Sequence, residues 1–599
     1  MKVIKRDGRA VEYNSDKIRV AISKANEEVP QSEKATTRQI DNIIKYIETL
    51  DKKRILVEDI QDIIETKLME QKRFVLAKKY VIYRYTRALV RKSNTTDETV
   101  LSLIKNNSTN ISKNKNEISS KKTLVTDEVS IDLAKRVLLP KNIVELIESG
   151  GIYFHDLSDF AYPMFASSIP NLENYFNTIK PDSFIEAVEE LCNIMLKTNK
   201  EQCQSISIDI SILGKYLRKS CEKYEKKLSE NMNINKENIN ELLLIKLHED
   251  VLNSVNLIKI TIDNLKENAV VLLLNLTEEQ KYNSIIIENI LNNIDNCKLI
   301  YVLNEDTLNN KEYKYLTDLA YQKIKTQKLG FLSNKKFIEE YKTVYSPTIN
   351  GALFPIYKEQ RELFKGRFTQ SLVTLNLPQI ALHSSNEDSF FKNLEERLEI
   401  CKDALMCKYY SLLGTISNVS KMNYQEGLIS NLFEGEKIDK YLKNGYSNLY
   451  LGYIGLNEVV KLIKNKDITS EEGKSFALKI VKYMNNKCNE WSKELKVGFV
   501  LYGTNNEKVN EILREKDEDQ NETINIEKYN GSFIPNKKFE NIYKYLEYIK
   551  NFTSFTKGGS NISINLKDYN VDKEEFINYL YDNIKYIDLY EGEEKWKKN

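Results

Sequence analysis

The sequence predicts an α/β protein in which a small, mainly helical domain precedes a large body of alternating helices and strands. Three observations predict it. Residues 1 to 92 space their apolar side chains for helices, whereas the stretch from Lys92 to Lys122 turns rich in Asn, Ser, Thr and Lys. From Thr123 onward, short β-rich runs alternate with helical stretches. At 599 residues and 41% apolar content the chain can bury a large core and divide into at least two domains.

The chain opens with a short strand around Val3. Apolar spacing in Lys17-Ile18-Arg-Val20-Ala-Ile22 through Ala25 predicts one helix, and Val57 to Leu68, carrying Ile60, Ile63 and Ile64, predicts a second. A third runs from Phe74 to about Arg91. Only Val100 to Ile104 is apolar in the polar stretch that follows, so residues 93–122 read as a linker or loosely held hairpin. Beyond it, Leu299 to Leu303, Leu372 to Leu377 and Gly498 to Tyr502 are β-rich runs between helices, as in an α/β body long enough for a barrel. No internal repeat is visible.

Composition excludes several classes. The longest apolar run, Ala269 to Leu274, is far short of the roughly 20 residues of a membrane helix. Charges at Lys2, Lys5 and Arg6 stand where a signal peptide is apolar, which points to a cytoplasmic protein. Seven cysteines (Cys192, Cys203, Cys221, Cys297, Cys401, Cys407, Cys488) are scattered singly, as reduced thiols are. With three histidines and no Cys/His cluster, no zinc or other metal site is expected. A net charge of +2 gives no general reason to expect nucleic acid as a partner.

Lys5-Arg6-Asp7-Gly8 followed by Tyr13-Asn14-Ser15-Asp16-Lys17 sets two cations on a turn, then a helix cap, then a lysine in the first helical turn. Lysine and arginine bind phosphate oxygens by charge-assisted bonds, and a helix start offers free N–H groups, so an anion fits here. A charged hairpin turn would give the same tetrapeptide. Together with Ala77-Lys-Lys-Tyr80-Val-Ile-Tyr83-Arg84-Tyr-Thr-Arg87, the stretch resembles the ATP-cone, a regulatory domain at the front of many ribonucleotide reductases. That resemblance implies a nucleotide-binding domain over residues 1–92, with ATP or dATP as allosteric effector. It further implies that Val3, Lys5, Arg6, Asn14 and Lys17 line the nucleotide and that Tyr83 and Arg87 meet it from the last helix.

From residue 123 to 599 the order of segments resembles the class III, anaerobic ribonucleoside-triphosphate reductases. The segments are Gly151-Ile-Tyr-Phe-His155-Asp156-Leu157, Ser346-Pro347-Thr-Ile-Asn350-Gly351, Asn376-Leu-Pro378, Gly452-Tyr-Ile-Gly455-Leu-Asn-Glu458 and Lys557-Gly558-Gly559. The resemblance implies a ten-stranded α/β barrel of two halves, related to the glycyl-radical enzymes. That chemistry needs a barrel-centre cysteine whose S–H bond yields a thiyl radical, and an amide cannot supply one. Here Pro347-Thr348-Ile349-Asn350-Gly351 matches the family's Pro-Met-Gly-Cys-Arg, which puts Asn350 in the cysteine's place. Tyr162-Pro163-Met164-Phe165 follows the His-Asp-Leu segment without the family's second cysteine. No CxxC pair and no Arg-Val-x-Gly-Tyr loop occurs, so neither the carboxy-terminal zinc module nor a glycyl radical is expected in this chain.

His155 and Asp156 read as groups that satisfy a buried turn rather than as an acid–base pair. Asn376 is either a strand-end amide holding backbone or a vestigial substrate contact, and no catalytic residue is assigned. Cys401, Cys407 and Cys488 read as core thiols. The expected function is a degenerate reductase homologue in deoxyribonucleotide metabolism, a homo-oligomer or a partner of an intact reductase. Two alternatives remain: a reductase subunit whose radical module comes from another polypeptide, and a nucleotide-controlled transcription regulator.

Overall fold

The computed structural model describes residues 2–4, 10–27, 29–50, 54–82, 84, 118–231, 236–266, 269–356, 363–520 and 526–592, which fall into compact units of residues 1–129 and 130–599. In the first unit, Lys2–Ile4 (β1) lies between Ala10–Glu12 (β2), antiparallel, and Arg54–Leu56 (β3), parallel. Helices Ser15–Glu27, Thr37–Thr49 and Val57–Glu70 and the helical residues 74–82 bury one shared core, where Ile22, Ile43, Ile47, Leu68 and Leu76 are fully enclosed. The sheet and helix Thr37–Thr49 are additional to the elements expected. That helix begins at a capping box: the Thr36 hydroxyl accepts the Gln39 N–H at 3.3 Å, and Gln39 Oε1 accepts the Thr36 N–H at 2.9 Å. Most of the expected linker, 93–117, is outside the described residues, but 118–122 open the helix Ile118–Leu133. Lysine-rich polar sequence is compatible with an exposed helix as well as with a linker.

The second unit is built on an eleven-stranded sheet. Its strands are Ile152–Phe154 (β4), Ser167–Ser168 (β5), Ile206–Asp209 (β6), Val270–Leu274 (β7), Lys298–Leu303 (β8) and Leu329–Ser333 (β9), then Phe368–Asn376 (β10), Asn448–Ile454 (β11), Gly498–Gly503 (β12), Ser563–Asn565 (β13) and Tyr586–Tyr590 (β14). Ten of them follow one path, β12-β11-β10-β5-β6-β7-β8-β9-β14-β13, while β4 pairs with β10 beside it. Neighbours are parallel except at β5/β10 and β9/β14, so β5 to β9 run one way and β10 to β14 the other. Every residue of β7, β8 and β10 is buried, as strands covered on both faces require. The β-rich runs read from the sequence fall in β8, β10 and β12, although Leu377 already begins the helix Leu377–Leu382.

The path does not close into the continuous ten-stranded barrel that was expected. Its end strand β13 has only three residues, and the segment before it turns at Gly559, whose φ is +82°. Two hydrogen bonds tie that segment to the other end: the Gly558 N–H donates to Leu501 O at 2.8 Å, and the Gly503 N–H to Gly559 O at 3.0 Å. A Cβ at Gly559 would stand 2.3 Å from Gly351 O, so the approach needs glycine there.

Between helix Asn334–Tyr341 and β10, a loop enters the space the sheet curves around, because it bonds to strands of both halves. Ser207 Oγ donates to Pro347 O at 2.9 Å, Lys298 Nζ to Ile349 O at 2.8 Å, Tyr450 OH to Leu353 O at 2.9 Å and Tyr502 OH to Asn350 O at 2.5 Å. Lys298 also pairs with Asp588 of β14 at 2.9 Å, their side chains 7% and 1% exposed, and Tyr586 OH donates to the same carboxylate. Burial pushes the Lys298 pKa down while Asp588 opposes that shift. Removing one partner from such a pair leaves an uncompensated buried charge. Lys298→Met or Asp588→Asn alone is therefore expected to lower unfolding stability by about 3–5 kcal/mol. The double variant Lys298→Met/Asp588→Leu should lose less than the sum. Urea titrations read by tryptophan fluorescence measure all three, and losses below about 1 kcal/mol for both single variants would show the pair to be as weak as a surface ion pair.

Candidate functional site

In the amino-terminal unit, Val3, Asn14 and Lys17 line one cavity of about 160 Å³. Ile18, Ile60, Ile64 and Tyr80 supply its apolar wall. Asn14 Oδ1 accepts the Asp16 N–H at 2.9 Å, which fixes the start of helix Ser15–Glu27 and brings Lys17 to its first turn. The Tyr13 hydroxyl, also at this cavity, is buried without a partner, the kind of orphan group that a ligand satisfies. Burial first, and Glu48 second, raise the pKa of that hydroxyl. Lys5, Arg6, Tyr83 and Arg87 lie outside the described residues.

At the barrel centre, the loop carries Asn350 at its tip. Gly351 follows with φ of +69°, and its N–H donates to Thr348 O at 2.9 Å, which makes the tip a tight turn. Asn350 Nδ2 approaches Gln204 Oε1 at 3.4 Å, Gln204 Nε2 donates to Asp156 Oδ1 at 3.2 Å, and Ser371 Oγ donates to Asp156 Oδ2 at 2.9 Å. The free space beside Asn350, lined by Gln204, Thr348, Ser371, Tyr450 and Tyr502, amounts to about 20 Å³. That is room for about one water molecule. Gln204, Lys298 and Tyr502 were not assigned from the sequence as loop contacts. Lys298 alone carried a signal, an isolated charge opening an apolar run.

Asp156 is 1% exposed, and burial pushes its carboxyl pKa up, opposed first by Lys408. His155 Nε2 hydrogen-bonds Thr374 Oγ1 at 2.8 Å, and Thr374 Oγ1 meets Thr504 Oγ1 at 2.8 Å. Asn376 caps helix Leu377–Leu382 by accepting the Gln379 N–H, and its amide donates to Gly150 O at 2.9 Å and Asp517 Oδ2 at 2.8 Å. Both amide hydrogens are thereby spent on protein. Cys401 and Cys488 are buried, whereas Cys407 is only partly so because its side of helix Glu387–Leu412 is less covered. Among the described residues, no group of His, Cys, Asp and Glu is placed to hold a metal, and no helix is long and apolar enough to cross a membrane.

Burial pushes the His155 pKa down to about 3. Its folded value lies below its unfolded one, so the neutral ring's contribution is complete above the unfolded value of about 6.5 and is lost as pH falls toward the folded value. His155→Gln should therefore flatten the fall in stability between pH 6.5 and 4 by up to one proton's worth of slope. Denaturant midpoints across that range test this; identical slopes in both proteins would refute it.

The family model for the anaerobic ribonucleoside-triphosphate reductases matches residues 107–590, and the ATP cone domain model matches residues 1–89. The anaerobic ribonucleoside-triphosphate reductase of Haemophilus influenzae is 27% identical over 98% of this chain and 89% of its own length. The enzyme of that name from Escherichia coli is 24% identical over 84% of this chain and 76% of its own length. Among solved structures, the anaerobic ribonucleotide reductase from Thermotoga maritima with dATP bound in the specificity site superposes with a TM-score of 0.60 at 15% identity, covering 82% of this chain and 86% of that one. The same enzyme in complex with dATP and CTP gives 0.59 at 14% identity over 84% and 86%. The fold is thus that of those reductases, and, with the family model spanning most of its length, this chain belongs to the anaerobic ribonucleoside-triphosphate reductase family and carries an amino-terminal ATP cone.

Proposed function

We propose that this protein is a catalytically degenerate member of its family, a nucleotide-sensing regulatory or partner protein in deoxyribonucleotide metabolism. The observation that carries the reading is Asn350 at the tip of the barrel-centre loop, in a space of about 20 Å³. A carboxamide has no weak S–H bond to give up, and a space that holds about one water leaves none for a ribose. In this reading residues 1–92 are the sensor, 93–122 join it to the body, and 123–599 form a reductase-like scaffold. ATP or dATP sits at Val3, Lys5, Arg6, Asn14 and Lys17, with Tyr83 and Arg87 completing the site. The orphaned Tyr13 hydroxyl and the lysine in the first helical turn support it. Nucleotide occupancy then biases self-association, or association with an intact reductase in the cytoplasm, through differential contacts in the two states.

Incubated anaerobically with an activase, S-adenosylmethionine and labelled nucleoside triphosphate, the chain is expected to form no deoxynucleotide above a no-protein control. Turnover by the unmodified protein would overturn the reading. Calorimetry should detect ATP or dATP binding, and a hundredfold excess over the dissociation constant should add about 2.7 kcal/mol of stability. Lys5→Ala with Arg6→Ala should abolish that binding while the body's unfolding transition stays in place.

A further inference from the structure

A second cavity, of about 540 Å³, opens where β5, β6 and β7 end, against the base of the loop that carries Asn350, and shares no lining residue with the Asn350 space. Its size lies within the roughly 300–1,000 Å³ of small-molecule sites. Four carboxylates line it, Glu173, Asp209, Glu278 and Glu279, against two lysines, Lys215 and Lys365. Lys365 is paired with Glu173 at 2.8 Å, and Glu279 with Arg218 at 2.9 Å. Among the described residues, Asp209 and Glu278 have no cation within salt-bridge distance; Asp209 Oδ1 accepts the Ser211 N–H at 3.0 Å, and the Ser211 hydroxyl and, more weakly, the charge of Lys365 also act on its carboxyl. Lys215 and Glu278 both stand exposed at the rim, where solvent screens them alike.

A second observation is independent of charge. Asn275, directly after β7, is 8% exposed and lines the cavity, yet its side-chain amide takes part in no hydrogen bond. The amide is open to the cavity rather than sealed in the core, and it is available there to a ligand's polar atom. Phe176 and Tyr216 stand edge to face, ring centroids 5.4 Å apart, and give the cavity an apolar side for methylene spacers, while Lys219 already lies 5.1 Å from the centre of the Tyr216 ring. Among the described residues no three of His, Cys, Asp and Glu converge on one point, so the separated carboxylates suit separated charges rather than one metal ion.

We propose that this cavity binds a linear polyamine, with ammonium groups at Asp209 and Glu278, an N–H or ammonium donor at Asn275 Oδ1, and the carbon chain along Phe176 and Tyr216. The site belongs to the larger unit and does not depend on whether the chain is catalytic. The test is calorimetry of the full chain with spermidine at physiological salt, against magnesium at matched charge concentration. Spermidine should bind at one site more tightly than magnesium. Asp209→Asn, which keeps an oxygen for the Ser211 N–H, and Glu278→Gln, at an exposed position that leaves the core untouched, should each weaken it by about tenfold. Spermidine binding no tighter than magnesium, or unchanged in the folded Glu278→Gln variant, would overturn the proposal, and binding of putrescine with equal affinity would show that fewer charges are read than proposed.

Discussion

The larger unit rests on one constraint: a loop passes through a closely packed sheet interior, and its backbone groups must find hydrogen bonds there. Backbone carbonyls cannot be buried dry without donors. The sheet supplies them from four strands, with hydroxyls at Ser207, Tyr450 and Tyr502 and the ammonium of Lys298. Lysine is the costly choice, since its charge must itself be neutralised, and Asp588 does that from β14. One buried charge pair therefore joins the loop, β8 and β14, and together with the Tyr502 hydroxyl on Asn350 O it fixes the position of Asn350.

Much of this was legible in the sequence. The β-rich runs of β8, β10 and β12 read as strands between helices, and helix Val57–Glu70 showed its buried face as Ile60, Ile64 and Leu68. The order of the matched segments is what put Asn350 in the cysteine's place in the sequence reading, and the structure sets it at the tip of its loop. Helix Thr37–Thr49 was passed over although Ile40, Ile43, Ile44 and Ile47 repeat at helical spacing and a capping box precedes them. The links from Asn350 through Gln204 to Asp156 were beyond reach, because they join residues 146 and 48 positions apart, and no local pattern encodes such pairs. The open path of the sheet was equally hidden, since it turns on how short β13 is and on two glycine-borne hydrogen bonds.

The polar groups around Asn350 are turned to structure. Asp156 holds Ser371 and Gln204, His155 holds Thr374, and Asn376 caps a helix and anchors Asp517. Each of them bonds to protein. A reactive centre keeps some of its donors and acceptors free for a substrate; here they are largely committed to one another.

The order of the strands sets the order in which this molecule can be completed during synthesis. β14 is inserted between β9 and β13, and Asp588 follows Lys298 by 290 residues. At about 5–20 residues per second, a ribosome takes on the order of 15–60 s to span that gap. Throughout it the nascent first half presents the open edge of β9 and a lysine with no counter-ion, in a segment otherwise apolar enough to associate with other chains. A holding chaperone that covers the β9 edge until the last strand emerges would protect the protein at its most vulnerable stage, and truncation anywhere before Asp588 would leave that edge permanently open.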